Sequence, residues 1–305
     1  MERPDRWTLA AFAGAVLIGG LNALAVRFQN VEVPPLWGAG ARFGIAGLLF
    51  AVALVALRLP RPRGAALTGA LVFGVLTFGL GYALVYWALV HVKAGMTMVI
   101  LSIVPLVTLL LALAHGVEKF RWRAMAGAVL AAGGIAVVFR EQLGSAVPPL
   151  ALAALLGTAF CWSEASVLLK RFPGAHPVAV NTLGMIVGAA MLLVFSALRG
   201  ELRVIPQLRA TWLAFAYLVV VGSLVLFVLY LVVLQRWTAS GASYQFLLLP
   251  LVSLTASAWV DAEPLTPSLA VGGALVLAGV YVGAFARARP AAAAAPEPTA
   301  TEPAP

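Results

Sequence analysis

The chain has 305 residues, of which 63% are hydrophobic and 10% charged, with a mean hydropathy of +1.02 and one cysteine. A soluble domain solvates its exterior with about a quarter charged residues, so most of this surface must face lipid, and a lone Cys161 excludes a disulfide framework or a cysteine-rich metal site. The net charge of +9 comes from basic residues scattered over short connections, with no basic face or RNA-binding motif; this excludes a nucleic-acid partner and leaves the charge to set membrane orientation.

Apolar runs of bilayer length fall at 8–26, 36–57, 65–90, 94–114, 121–139, 149–169, 177–198, 210–234, 239–260 and 267–286. The pattern predicts an all-α integral membrane protein of ten transmembrane helices. In the first run, Ala23-Leu24-Ala25 has the form of a signal-cleavage site. The apolar stretch before it is too long for a signal core, and the repeat described below needs this helix as partner of the sixth. The third and fourth runs are divided only by His91, Lys93 and the small pair Ala94-Gly95. Beyond Arg289, the alanine- and proline-rich segment 290–305 reads as a disordered tail.

Counting basic residues on alternate sides gives the orientation. One side collects thirteen, among them Arg3, Arg6, Arg58, Arg61, Arg63, Lys119, Arg121, Arg123, Lys170 and Arg171. The other collects six, Arg27, Lys93, Arg140, Arg199, Arg203 and Arg209, and Arg42 stays inside a span. The positive-inside rule then places both termini in the cytoplasm; a cell inner membrane is the expected location.

Self-comparison is the most informative operation. Pro105, Glu118, Gly127 and Gly134 recur as Pro250, Glu263, Gly272 and Gly279, each 145 residues later. Arg27-Phe28 and Pro35 recur near Arg171-Phe172 and Pro177, with a slightly smaller offset. The chain is therefore read as two repeats, 1–145 (helices 1 to 5) and 146–289 (helices 6 to 10). Five is odd, so the second copy enters the membrane from the opposite side, giving two inverted five-helix repeats, an arrangement on which many secondary transporters are built. Pro105 and Pro250 sit about mid-helix, where a missing N–H and a ring clash bend or break the helix. Interruptions at matching places in two halves point to a central site, although either proline alone would also serve packing.

This doubled pattern of an alanine-glycine start, a mid-helix proline, a glutamate just past the helix and then a glycine-spaced helix resembles the EamA domain of the drug/metabolite transporter superfamily. Gly20-Leu21-Asn22 and Arg42 are similar to the family's helix 1 Trp-Gly-Ser-Asn stretch and its helix 2 arginine. Gly19 stands where the tryptophan is usual, while Trp162-Ser163 keeps the aromatic in the second half. The resemblance implies a ten-helix exporter of amino acids and other small metabolites or drugs.

Candidate substrate-binding residues follow from polar and aromatic side chains within spans: Asn22, Tyr82, Tyr86, Thr97, Trp162, Glu164, Asn181, Tyr230, Tyr244 and Gln245. Rings with a polar tip suit a small zwitterion or an organic cation; tyrosine and tryptophan also collect at membrane interfaces. Arg42, Pro105, Glu118, Pro250 and Glu263 are assigned structural or gating roles, with Glu118 and Glu263 facing the N-termini of helices 5 and 10. Glu164 is the one carboxylate inside a span. Unpaired in a cavity it would exchange protons and couple transport to a proton gradient; paired with Arg42 or Lys170 it would not. The glycines at helical spacing, including Gly40, Gly44, Gly272 and Gly279, are read as helix-packing positions. His91, His115 and His176 lie at span ends and are read as interfacial. No zinc, phosphate-loop or nucleophile-elbow motif is present, so neither cofactor nor metal is expected. The partners are a small-molecule substrate and the lipid bilayer. Multidrug export is the alternative, followed by an intramembrane enzyme and an assembly subunit.

Overall fold

The computed structural model describes residues 4–92, 94–140, 147–260 and 267–285, and every regular element among them is helical. In chain order these are α1 (Arg6–Gln29), α2 (Pro35–Ala56), α3 (Ala65–Leu89), α4 (Ala94–Leu101 and Val104–Ala114), α5 (Trp122–Val138), α6 (Pro149–Arg171), α7 (Pro177–Leu198), α8 (Arg209–Arg236), α9 (Ala239–Ser243 and Gln245–Val260) and α10 (Pro267–Val280, continued by Tyr281–Phe285). Eight helices are long and apolar enough to cross a membrane; α5, at 17 residues, is shorter, and α9 is divided at Tyr244. Large apolar side chains such as Leu48, Val52, Leu110, Val129 and Leu277 stand more than half exposed on the outer faces. Water would not tolerate such a band, so its solvent is lipid, and the chain is a multi-pass membrane protein. Starts are marked by residues suited to them: proline at the first or second position of α2, α6 and α7, and Asp5 accepting from the Thr8 amide at 2.7 Å before α1.

The packing is symmetric under exchange of the halves. α1 packs on α8 and α9, as α6 packs on α3 and α4; α2 touches α8, as α7 touches α3. Two interfaces are their own images, α2 with α7 and α5 with α10. In the first, Gly40 approaches Leu193, Gly44 approaches Ala189 and Gly47 approaches Ile186, so numbers rise on one helix as they fall on the other. In the second, Gly127 meets Gly283, Gly134 meets Val276, and Gly272 meets Val138. Both pairs are antiparallel, which requires the relating twofold to lie across the helix axes.

Two expectations are corrected. α4 is interrupted at Ser102 and Ile103, just before Pro105, as a ring that clashes with the preceding turn demands. Pro250, however, lies inside the helix Gln245–Val260, and α9 is interrupted earlier, at Tyr244. Both prolines are buried, away from lipid. Glu118 does not serve its own following helix. Its carboxylate accepts from the Ser240 amide at 3.0 Å and the Ser240 hydroxyl at 2.5 Å, capping the first turn of α9 in the opposite half. Glu263 and the segment 290–305 lie outside the described residues.

Candidate functional site

α3 and α8, which correspond under the repeat, each contain a π-helical stretch, Gly74–Gly81 and Val220–Val225. A π turn displaces carbonyls from their usual partners and recurs at functional sites. Each stretch is met by a polar side chain of the opposite half: Trp162 Nε1 of α6 donates to the Thr77 carbonyl at 3.3 Å, and Asn22 Nδ2 of α1 donates to the Gly222 carbonyl at 3.0 Å. A glycine admits each visitor, since a Cβ on Gly81 would lie 2.4 Å from Trp162 Nε1 and one on Gly222 would lie 2.2 Å from Asn22 Oδ1. Gly19 and Trp162 differ in kind, yet α1 and α6 still play equivalent parts.

Arg42, two turns into α2 and only 2% exposed, reaches the same α8 stretch. Its Nε donates to the Ser223 hydroxyl at 2.8 Å and its Nη2 to the Gly222 carbonyl at 3.1 Å, and the guanidinium lies 4.7 Å from the centroid of the Phe43 ring. Tyr82 is the hub of the adjoining aromatic cluster, with ring centroids 4.8 Å from Phe43, 5.8 Å from Tyr86 and 5.7 Å from Trp162. Trp162 in turn stacks on Phe246 of α9 at 5.4 Å. Asn22, Arg42, Tyr82, Tyr86 and Trp162 are thus brought together by α1, α2, α3 and α6.

The other candidates are placed elsewhere. Tyr230 shares a 2.5 Å hydrogen bond with Ser166 and stacks on Phe73. Tyr244 donates to the Ala124 carbonyl at 2.5 Å and abuts Gly283, wedged between α5 and α10. Asn181 and Thr97 are fully buried, and neither side chain has a hydrogen-bond partner among the described residues. Gln245 is buried at the head of the longer α9 piece. Glu164 pairs with neither Arg42 nor Lys170. Its Oε1 stands 3.1 Å from His115 Nε2, while its Oε2 is buried with no hydrogen-bond partner. His115 ends α4, at a span end as expected, and also meets Glu164; no sequence spacing links the two.

The two ends of the bundle differ. At the end where α1 begins and α8 finishes, a cavity of about 590 Å³ lies between the halves, lined by Asp5, Thr8, Glu118, Lys170, Arg236 and Thr238. At the opposite end, carboxylates bind the halves together. Glu32 of the first half accepts from the Gln207 and Leu208 amides, both at 3.0 Å. Glu201 of the second half accepts from the Leu36 amide at 3.3 Å and the Trp37 amide at 2.7 Å, at the start of α2.

A lipid-embedded helical bundle of two structurally equivalent halves, with a polar-aromatic cluster between them, defines a polytopic membrane protein of the transporter type. The EamA-like transporter family matches residues 6–140 and again 149–284, and the chain belongs to that family. It is a membrane transporter of the EamA type. It is 25% identical to a probable amino-acid metabolite efflux pump of Escherichia coli K12, over 88% of this chain and 92% of that one. An uncharacterized transporter of Archaeoglobus fulgidus is 24% identical over 91% of this chain and 98% of its own. The uncharacterized inner membrane transporter YedA of Escherichia coli K12 is 26% identical over 82% and 81%. A crystal structure of a protein 22% identical in sequence superposes with a TM-score of 0.74, covering 90% of this chain and 95% of that one, and has the same fold.

Proposed function

We propose that this protein is a secondary exporter of small metabolites, amino acids or related compounds, working by alternating access in a cell inner membrane with both termini in the cytoplasm. All ten helices span the bilayer in this reading, as two inverted five-helix domains, 1–145 and 146–289, followed by the tail 290–305. The observation that carries it is the difference between the ends: in halves related by a twofold across the helices, Glu32 and Glu201 join the two at one end, while at the other, where Glu118–Ser240 and Asp5–Arg236 still link the halves, a cavity of about 590 Å³ lies between them. Exchange of the two halves' conformations would reverse which end is open. The His115–Glu164 pair, close to the cavity end, is the proposed proton site. Family membership and the efflux-pump relative favour transport over catalysis.

Reconstituted into sealed vesicles, the protein should move labelled amino acids across the membrane without altering them, as judged by mass spectrometry of the recovered solute. Chemical conversion without translocation would make it an enzyme. Movement of cationic dyes in preference to amino acids would favour the multidrug reading.

A further inference from the structure

We propose that Arg42 and Asn22 together recognise the head group of an α-amino acid, Arg42 taking the carboxylate and Asn22 Oδ1 the ammonium, with the side chain of the solute lying on the Tyr82–Trp162 wall. This rests on the transporter reading and narrows its substrate class.

The first argument is charge. Arg42 is 2% exposed inside a span, where a lone cation is expensive and persists only with a partner or a function. Every carboxylate among the described residues is committed elsewhere: Asp5 to Thr8, Glu32 to Gln207 and Leu208, Glu118 to Ser240, Glu164 to His115, and Glu201 to Leu36 and Trp37. The groups that Arg42 does meet, the Ser223 hydroxyl, the Gly222 carbonyl and the Tyr82 side chain, are neutral. They fix the guanidinium in place without cancelling its charge. A guanidinium has five N–H donors in a planar fork suited to a carboxylate, so a solute carboxylate supplies what the protein withholds.

The second argument is independent of charge. Asn22 is 9% exposed and its Oδ1 is buried with no hydrogen-bond partner, although its Nδ2 is held. A buried acceptor left unmade costs free energy, and an ammonium is a donor that would satisfy it. The two residues share one acceptor: Asn22 Nδ2 and Arg42 Nη2 lie 3.0 and 3.1 Å from the Gly222 carbonyl oxygen, which puts them at most about 6 Å apart and Asn22 Oδ1, on the same amide, at most about 8 Å from Nη2. The carboxylate and ammonium of an α-amino acid are separated by a single carbon, so one head group can address both. Tyr82, Tyr86 and Trp162 add flat faces beside Arg42 for an apolar or aromatic side chain. The same rings would attract an organic cation, but Arg42 repels it.

The test is counterflow of labelled L-phenylalanine in proteoliposomes, with unlabelled L-phenylalanine, L-phenylalaninamide (no carboxylate) and 3-phenylpropionate (no ammonium) as competitors. The intact amino acid should compete at least tenfold better than either analogue. Arg42→Gln should abolish its advantage over the amide while leaving its advantage over 3-phenylpropionate, and Arg42→Lys should restore part of it. Equal competition by the amide overturns the proposal, and this arm uses the wild-type chain, so it stands even if the variants misfold. A parallel assay with the dye ethidium separates the two readings. Ethidium movement without phenylalanine movement overturns the head-group site but leaves a transporter, whereas movement of neither overturns both.

Discussion

Gly127 on α5 and Gly279 on α10 face each other so closely that a Cβ on the first would lie 2.5 Å from the carbonyl oxygen of the second, and a Cβ on the second 2.6 Å from that of the first. Gly134 and Gly272 repeat the contact, at 2.8 and 2.6 Å. Moving 145 residues along the repeat turns Gly127 into Gly272 and Gly134 into Gly279, so each pair is the image of the other. The twofold therefore runs through this interface, and four glycines let two backbones approach as membrane helices use small residues to do.

Gly127→Ala should accordingly lower the melting temperature in detergent by several degrees, equivalent to about 1–3 kcal/mol of overpacking. The atoms in the way, the Gly283 amide at 2.3 Å and the Gly279 carbonyl, are backbone and cannot swing aside. Gly133→Ala is the control, since a Cβ there meets nothing within 4 Å. Equal shifts in the two variants would mean that α5 and α10 are not this close.

What was legible in the sequence is what periodicity and composition encode. Eight helices long and apolar enough to span were legible because lipid demands long apolar runs, and the division between α3, ending at Leu89, and α4, starting at Ala94, fell beside the small and charged residues that interrupt them. The twofold was legible because Gly127 and Gly134 recur at one offset. Contacts between the halves were not. Nothing in the spacing of Glu118 and Ser240, or of His115 and Glu164, tells which side chain meets which, because those meetings depend on how the halves dock. The interruption of α9 also escaped: it falls at Tyr244, six residues before Pro250, which lies inside the helix that follows. Asn22 and Arg42 were singled out separately, one by motif and one by charge, and only the π stretch of α8 unites them.

Tyr82 and Tyr244 looked alike in sequence and should behave differently. Tyr244→Phe loses the hydrogen bond to the Ala124 carbonyl and should cost about 0.5–1.5 kcal/mol in stability, with KM for the transported solute unchanged. Tyr82→Ala, at the hub of the aromatic cluster, should raise KM several-fold. Saturation kinetics and thermal unfolding on both variants test the division, and a raised KM in Tyr244→Phe would return that residue to the site.

The Glu32 clasp should loosen in acid. The Thr211 side chain beside it is the main influence holding the Glu32 carboxyl below its ordinary value of 4.5, and the Leu208 and Gln207 amides add to it against a cost of burial. A depressed value means that the contact is favoured fully above about pH 4.5 and is lost as the pH falls through the lowered value. Carboxyl carbon-13 NMR should therefore show a glutamate titrating below 4.5 whose resonance disappears in Glu32→Gln. In that variant the Gln207 and Leu208 amides should exchange hydrogen faster. A Glu32 that titrates at or above its ordinary value would rule out the clasp.

The proton site gives the last test. Glu164 has one oxygen 3.1 Å from His115 Nε2 and the other buried without a hydrogen-bond partner, while the Arg171 guanidinium donates to the His115 carbonyl rather than to the carboxylate. A permanent cation would hold a carboxylate charged, whereas a histidine partner is itself a group that can take up and release a proton, so the pair offers two protonatable side chains in contact. Glu164→Gln preserves size and removes titration. It should abolish amino-acid accumulation driven by a pH gradient, and with it the alkalinisation or acidification reported by a pH dye trapped in the vesicles. Exchange between equilibrated vesicles should survive, because exchange needs the moving halves but no net proton transfer. His115→Gln should reproduce the loss of coupling, since it removes the other member of the pair. Gradient-driven transport at the wild-type rate in Glu164→Gln would assign the pair to holding α4 against α6, and coupling would have to be sought in another group.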